Sequence, residues 1–306
     1  MTFTKSVVFI VLTVALGSHS LHPIWDERFQ DEWTGTCASG LLQTPIAIPS
    51  ISERNLTQFM TLEFTNMKVP INQVTVTNLG RHTLFEWERD GSAQYPQRYF
   101  KLKTSQDVAP FRKGKKYVLQ NVHVHHNLNA HTGTLHAIDG WKYAMEMHLL
   151  FLLPEFDHDY LRAFESGPGN AFELSILWRL SNKHNAAWSL LNDLTLSQKL
   201  SENQTITSSG ETSFRLSDFI PKNSHFVLYP GSMCFNNCLE TNTWIVFDQP
   251  MDFDTADLGM RHWTYISDGV EIPLHRNIRH IQSRNGRPVY HGIAQQVMFK
   301  DPSCRV

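Results

Sequence analysis

The stretch NVHVHHNLNAHTGTLHAIDGWKYAMEMHLLF, residues 121–151, decides how this chain folds. It opens with alternating valine and histidine, and it closes with YAMEMHLL, which alternates as well. Successive side chains of a β-strand point to opposite faces of the sheet. The pattern therefore predicts that His123 and His125 share one face of a first strand. It also predicts that Glu146 and His148 share one face of a second strand.

These two strands together indicate a metal site. If they pair antiparallel across the turn-rich segment between them, then His123, His125 and His148 converge. Three neutral imidazoles that leave a fourth position open are the ligand set of a catalytic zinc. Glu146 and Asn121 each precede a histidine by two residues, so we expect them to accept ring N–H groups and to fix the ring tautomers. The predicted cofactor is Zn²⁺.

The remainder of the chain indicates a mainly β (α+β) fold. Short runs rich in β-branched and aromatic residues are separated by Gly, Pro, Asn and Asp. The best helix candidate is 184–201, and no internal repeat or change of composition divides the chain. We therefore expect one domain. The predicted strands are Met60–Phe64, Val74–Asn78, Thr83–Glu88, Tyr117–His125, Tyr143–Phe151, Leu174–Trp178 and Thr243–Phe247.

Composition limits the class of partner. Of the 306 residues, 41% are hydrophobic and 18% are charged, which is ordinary for a chain with a large buried core. The formal net charge is −2, so no strong electrostatic field favours nucleic acid or an anionic membrane. We predict no nucleic-acid partner. The count of 16 histidines agrees with metal chemistry.

The N-terminus predicts export. Residues 1–20 have a lysine followed by a short apolar run and small residues, which is typical of a signal peptide. The mature domain is then 21–306, and no later segment is apolar enough to predict a transmembrane span. Sequons at Asn55 and Asn203 agree with a secreted glycoprotein. Four cysteines in an exported chain indicate one or two disulfides, and their spacing leaves three pairings open if all are paired. They are Cys37, Cys234, Cys238 and Cys304.

Residues 121–151 resemble the zinc-binding hairpin of the alpha-class carbonic anhydrases. Three further segments resemble that family in the same order. Gln43–Ile46 resembles its Gln-Ser-Pro-Ile, residues 229–250 (YPGSMCFNNCLETNTWIVFDQP) resemble its Tyr-Pro-Gly-Ser segment and the strand after it, and Asn285–Pro288 resembles its Asn-Trp-Arg-Pro.

The resemblance implies one domain on a large, twisted, mostly antiparallel sheet, with zinc at the bottom of a conical cleft. It implies reversible hydration of carbon dioxide to bicarbonate as the activity. It also implies a disulfide between Cys37 and Cys238, as in extracellular members of the family.

The residues that orient the zinc-bound hydroxide in that family are replaced in this chain. The Thr position of the relay falls on Cys234, and the Glu position falls on Leu135. A thiol is a weak donor and acceptor, and leucine cannot accept a hydrogen bond. Loss of one well-placed hydrogen bond in the transition state typically costs about 10²–10³ in rate. We therefore predict that hydration is weak or absent.

Other positions of the implied site also depart from the family. The proton-shuttle position falls on Arg81, whose guanidinium does not release its proton at neutral pH, or on His82 after a shift of one residue. The implied substrate pocket includes Leu150, Asn242 and Trp244. Asn242 stands at a valine position of that apolar pocket, and Glu173 stands at another.

Alternatives remain open on the sequence alone. Cys234 could ligate zinc, pair with Cys304, or be free. The chain could be a working carbonic anhydrase. The basic run 112–116 could instead mark an extracellular module that binds a glycan or a protein partner.

Overall fold

A computed structural model describes residues 27–300, except 51, 53–54, 90, 92–95, 105–109, 111–113, 128, 197–199, 222–224, 236, 255–263, 268–269 and 275. The predicted signal peptide, Cys304 and the first part of the basic run lie outside the described residues.

Sixteen strands and three short α-helices make up the described part of the chain. The strands are β1 Ala47–Ile48, β2 Asn55–Thr65, β3 Ile71–Asn78, β4 Thr83–Glu86, β5 Tyr99–Thr104, β6 Tyr117–His126, β7 Ala137–Ile138, β8 Met145–Leu152, β9 Ala171–Ser181, β10 Thr205–Phe214, β11 Phe226–Gly231, β12 Asn242–Phe247, β13 Met251–Asp254, β14 Thr264–Ser267, β15 Val270–Pro273 and β16 Tyr290–Lys300. The helices are α1 Thr36–Ser39, α2 Tyr160–Glu165 and α3 Ala186–Leu196, and 3-10 turns span Glu27–Glu32, Pro154–Phe156 and Leu216–Asp218.

Each predicted strand is present, with ends that differ by a few residues. The predicted helix is shorter than 184–201, because α3 begins at Ala186 and is described to Leu196. Its first turn is closed by Asn185, whose side-chain oxygen accepts the Trp188 amide at 2.9 Å. The mainly β prediction is confirmed.

Twelve strands form one sheet in the order β10-β3-β4-β6-β5-β2-β16-β11-β12-β9-β13, with β8 between β6 and β9. The pairs β9–β12, β9–β13 and β2–β16 are parallel, and the other described pairs of this sheet are antiparallel. The expectation of a large, mostly antiparallel sheet is therefore confirmed. β6, β8 and β9 lie side by side and form the part of the sheet that carries the histidines.

The two faces of β6 and β8 have different surroundings. Val122, Val124, Met145 and Met147 pack into the larger hydrophobic core together with aromatic residues from neighbouring strands. Every residue of β6 and of β8 is buried, so these strands lie in the interior of the protein. The histidines point to the other face, where a smaller cluster around Trp244 packs.

A disulfide joins Cys37 to Cys238 across 201 positions of sequence. This pairing is the one that the resemblance implied, and it is confirmed. It ties α1 to the segment that leads into β12. Within the described residues, no helix has the length and apolar character that crossing a membrane requires.

Candidate metal centre

β6 and β8 bring the three predicted histidines together. His123 and His148 are directly opposite each other in the antiparallel register, and His125 lies two residues further along β6 on the same face. The donor atoms of all three rings lie within 4.8 Å of one another. The three side chains are 7%, 1% and 1% exposed. The strand alternation thus places the imidazoles as the sequence predicted.

The spacing of the rings fits a zinc ion. His148 Nδ1 lies 3.3 Å from His123 Nε2. Two nitrogens that are each 2.0–2.1 Å from one tetrahedral zinc lie about 3.3 Å apart. The rings of His123 and His125 are nearly perpendicular, at 79°, as are those of His123 and His148, at 85°. Nitrogen donors arranged in this way suit zinc, and they leave one side of the cluster open.

Each ring is held through its second nitrogen. Asn121 Oδ1 lies 3.1 Å from His123 Nδ1, and Glu146 Oε1 lies 2.7 Å from His148 Nε2. His125 Nδ1 lies 2.7 Å from the carbonyl oxygen of Asn277. An acceptor at one nitrogen fixes a neutral tautomer whose other nitrogen is a lone-pair donor. The remaining nitrogens are those that face one another, so the chain holds a prepared three-nitrogen cage.

Glu146 is the centre of a buried hydrogen-bond network. Besides His148, its carboxylate accepts the ring of His136 at 2.6 Å, the His136 amide at 2.8 Å and the Ser175 hydroxyl at 2.6 Å. The far nitrogen of His136 contacts the Tyr229 hydroxyl at 2.6 Å. Burial alone would raise the pKa of the Glu146 carboxyl, but electrostatic interactions and hydrogen bonds with His136 and His148 outweigh burial and hold the pKa well below its usual range.

Three residues of this arrangement were not predicted from the sequence: Asn277, His136 and Ser175. Asn277 also donates its side-chain amide to the Val124 carbonyl and accepts the His126 amide, so it locks the end of β6. Asn277 lies eight residues before Asn285 and outside the four segments on which the resemblance rests. The structure places Asn277 at the metal centre, whereas Asn285 lies in an exposed turn with φ of 47°.

A cavity of about 880 Å³ opens over the three rings. Most of the residues that the resemblance assigned to the site lie in its wall. Trp244 is fully buried, and its ring lies 4.9 Å from the ring of His148. Phe235, which sequence analysis did not identify, stacks on His125 at 5.4 Å. The predicted wall residues are Arg81, His82, Asn121, Leu150, Glu173, Cys234 and Trp244.

Glu173 places a carboxylate beside the metal cage. Its Oε1 lies 3.5 Å from His123 Nε2, the nitrogen that faces the other two rings. Asn242 stands behind Glu173 and donates to its Oε2 at 2.6 Å, and these residues are 1% and 9% exposed. Asn242 is not part of the cavity wall itself. A carboxylate and the amide bonded to it therefore occupy a place that the resemblance assigns to an apolar pocket.

Cys234 and Leu135, which the resemblance assigned to the relay positions, lie in the hydrophobic cluster around Trp244. Cys234 is buried and has no disulfide partner among the described residues, and burial raises the pKa of its thiol well above the usual value. It lines the cavity, but its sulfur does not belong to the group of three donors that lie within 4.8 Å of one another. Leu135 is completely buried. Neither side chain provides the hydrogen bonds of a Thr–Glu relay.

The two candidate shuttle residues take different positions. Arg81 lines the cavity and is partly buried. His82 is 8% exposed, and its ring packs on His123 at 4.7 Å between centroids. Burial lowers the pKa of His82 well below its usual value, and the neighbouring histidines and Arg81 lower it further.

The two predicted glycosylation sites and the basic run differ in how much of each the structure describes. Asn203 is exposed, sits in a turn with φ of 66° and lies at the cavity wall, so its side chain is open to modification. Asn55 begins β2, and its side chain lies outside the described residues. Of the basic run, Lys115 and Lys116 are exposed residues just before β6.

Comparison with known proteins agrees with this architecture. The profile of the eukaryotic-type carbonic anhydrase family matches residues 26–293. A Caenorhabditis elegans protein that carries the name carbonic anhydrase 3 is 27% identical over 179 residues, which are 58% of this chain and 65% of that protein. Carbonic anhydrase-like protein 1 of the same organism is 27% identical over 191 residues, 60% of this chain and 50% of that protein.

A mammalian relative aligns over a longer region. Carbonic anhydrase 4 of Rattus norvegicus is 24% identical over 279 residues, which are 89% of this chain and 82% of that protein. The matched region spans only about half to two thirds of the two nematode proteins.

Proposed function

This chain belongs to the eukaryotic-type carbonic anhydrase family, and from that premise we propose that it is a secreted zinc protein in which hydration of carbon dioxide is weak or absent. The observation that carries the proposal is the contrast between the cage and its surroundings. Three imidazoles with their supports face one another, whereas Glu173 and Asn242 put a carboxylate and an amide where the family resemblance expects an apolar substrate pocket.

We assign zinc binding to His123, His125 and His148. When bound in such a site, zinc lowers the pKa of its water ligand to about 7 and so supplies hydroxide at neutral pH. The supports from Asn121 and Glu146 keep the rings neutral and oriented, which lowers the cost of binding the ion.

The residues around the open side do not support fast chemistry. Carbon dioxide has no net charge, and it gains little from a buried carboxylate and amide that already satisfy each other. Cys234 and Leu135 offer no strong acceptor chain to orient a hydroxide. Arg81 cannot exchange protons at neutral pH, and His82 is buried against a ligand ring. Substrate entry, orientation and proton release are therefore all impaired in the same cavity.

A working carbonic anhydrase is the second candidate. The intact cage favours it, because His123, His125 and His148 would hold a zinc ion that supplies a nucleophile at neutral pH even where no relay orients it. Stopped-flow measurement of carbon dioxide hydration separates the two candidates. Our proposal expects the zinc-loaded protein to match the metal-free protein or to exceed it only slightly. A large zinc-dependent rate, abolished by His148→Ala, would establish the second candidate.

Secretion is supported by the signal-like N-terminus and by the Cys37–Cys238 disulfide, since disulfides persist in oxidising compartments. Expression in cultured cells tests it: we expect the protein in the medium, shortened by about the predicted signal peptide and sensitive to glycosidase. Protein retained inside the cells would contradict it. An extracellular glycan or protein partner stays a prediction.

A further inference from the structure

We propose that His225, Asp248 and His291 form a second metal site, which binds a divalent transition-metal ion of the zinc class. The donor atoms of these three side chains lie within 4.8 Å of one another. The two imidazole rings are 5.4 Å apart between centroids and inclined at 67°. None of the three belongs to the cavity described above. The inference does not depend on the proposed function.

The register of three neighbouring strands brings these side chains to one face. Phe226 of β11 is opposite Phe247 of β12, so the next pair outward is His225 and Asp248, and the Asp248 amide donates to the His225 carbonyl at 3.1 Å. On the other edge of β11, Val227 is opposite His291 of β16. Val227 and His225 are two residues apart and therefore share a face. All three side chains lie on that face.

This face is the one that carries the first cage. Val227 packs with Trp244 in the smaller hydrophobic cluster, and Trp244 contacts His148. Asp248 lies four residues beyond Trp244, a distance of about 13 Å along an extended strand. The second cluster is therefore separate from the cage: it lies on β11, β12 and β16, at the end of β12 away from the Trp244 contact with His148, whereas the cage lies on β6 and β8.

The donor chemistry suits a transition metal. Two imidazole nitrogens and one carboxylate oxygen are ligands that zinc accepts, and the same set binds other divalent ions of the first transition row. His291 is 3% exposed, Asp248 is partly exposed and His225 is exposed, so an ion can enter from solvent and keep water ligands. The partial exposure and the mixed donor set predict weaker binding than at the three-histidine cage.

An ion at this cluster would also connect two strands that are joined by few residue pairs. β11 and β16 are paired in the described structure through two residue pairs, Val227–His291 and Leu228–Tyr290. Across its other edge, β11 is paired with β12 along its full length, from Phe226 to Gly231. An ion bound by His291, His225 and Asp248 would connect β16 to β11, and this is the strand pair with the shorter paired region.

Zinc titration of the full metal-free protein by calorimetry, with zinc content measured after dialysis, tests the proposal. We expect two zinc ions per chain with unequal affinity. His225→Ala should keep the tight site and lower the zinc affinity of the second site. Because His225 is a proposed ligand, the loss should exceed the roughly 10–100-fold that follows removal of a residue that only hydrogen-bonds to a ligand. His280→Ala removes another exposed histidine and serves as the matched control, which should retain both sites.

His123→Ala makes the two proposals distinguishable. We expect it to lose the tight ion and to retain the weaker one. One zinc per wild-type chain together with none in His123→Ala would overturn the second site and leave the first intact. One zinc in both proteins, lost in His225→Ala, would establish the second site and overturn the first. A second ion that His225→Ala binds as tightly as the wild type would also overturn the proposal.

Discussion

Replacing both Glu173 and Asn242 with valine should raise the rate of carbon dioxide hydration. In the wild-type chain the Asn242 amide donates to the buried carboxylate at 2.6 Å. A hydrogen bond to a charged group contributes about 1.5–3 kcal/mol. If the substrate must displace this pair to reach the metal, that free energy adds to the barrier. Since about 1.36 kcal/mol corresponds to a factor of ten, we expect an increase of about 10- to 150-fold.

The expected increase in rate is limited by residues that the double variant leaves unchanged, and a matched control variant tests its cause. Cys234 and Leu135 are unchanged in the double variant, so its hydroxide remains poorly oriented. Glu173→Gln is the control, because the glutamine oxygen can still accept from Asn242 and the side chain keeps its volume. We expect Glu173→Gln to hydrate carbon dioxide no faster than the wild type, since the space beside the metal stays filled with a polar pair.

The assay is stopped-flow hydration with a pH indicator, on protein shown to carry zinc, with the metal-free protein as baseline. Urea unfolding accompanies it. Glu173→Val alone leaves a buried amide without its acceptor, which costs about 1–3 kcal/mol of unfolding free energy, and the double variant should recover part of that loss. A folded, zinc-loaded double variant with the wild-type rate would refute the idea that this pair blocks the substrate.

Three further predictions concern metal retention and stability. Glu146→Gln should weaken zinc binding by about 10–100-fold in a chelator competition, because His148 loses its charged acceptor; unchanged affinity would contradict the support role. Replacing both half-cystines by serine should lower the unfolding free energy by about 5 kcal/mol in urea, because the bond spans 201 positions; a loss below about 1 kcal/mol would contradict the chain-entropy argument. Burial alone would raise the pKa of the Glu63 carboxyl, but ion pairs with Lys103 and Lys300 lower this pKa below its ordinary value of 4.5. The stabilisation that the Glu63 carboxylate contributes is therefore present above pH 4.5 and is lost as the pH falls further. Glu63→Gln should therefore be less stable at pH 7, by about 1 kcal/mol because the lysines are half exposed, and should lose less stability on acidification; parallel acid profiles for the two proteins would contradict it.

The sequence predicted the parts of the site that depend on local geometry. The alternation in β6 and β8 is a property of the strand itself, so the order of residues alone assigns His123, His125 and His148 to one face. Asn121 and Glu146 followed from the same rule, because each lies two residues from the ring that it supports.

The sequence did not predict contacts set by the closure of the whole sheet. Asn277 reaches His125 from 152 positions away, and the carbonyl that makes this contact belongs to the backbone, so no side-chain pattern records it. Glu173 was placed in the substrate pocket by resemblance. Its proximity to His123 depends on the registers of β6 with β8 and of β8 with β9. Contacts between residues on different strands, such as that of Glu173 with His123, can be identified only once the order and register of the strands are known.

The supports of the cage have a consequence for redesign. Two of the three, the Asn277 carbonyl and the Glu146 carboxylate, lie outside the cavity wall, so substitutions in the wall leave them untouched. The proposed metal ligation and the lining of the cavity therefore depend on largely different residues. Residues of the lining can be substituted one at a time without changing these two supports, so the protein is a suitable starting point for selecting a new small-molecule ligand.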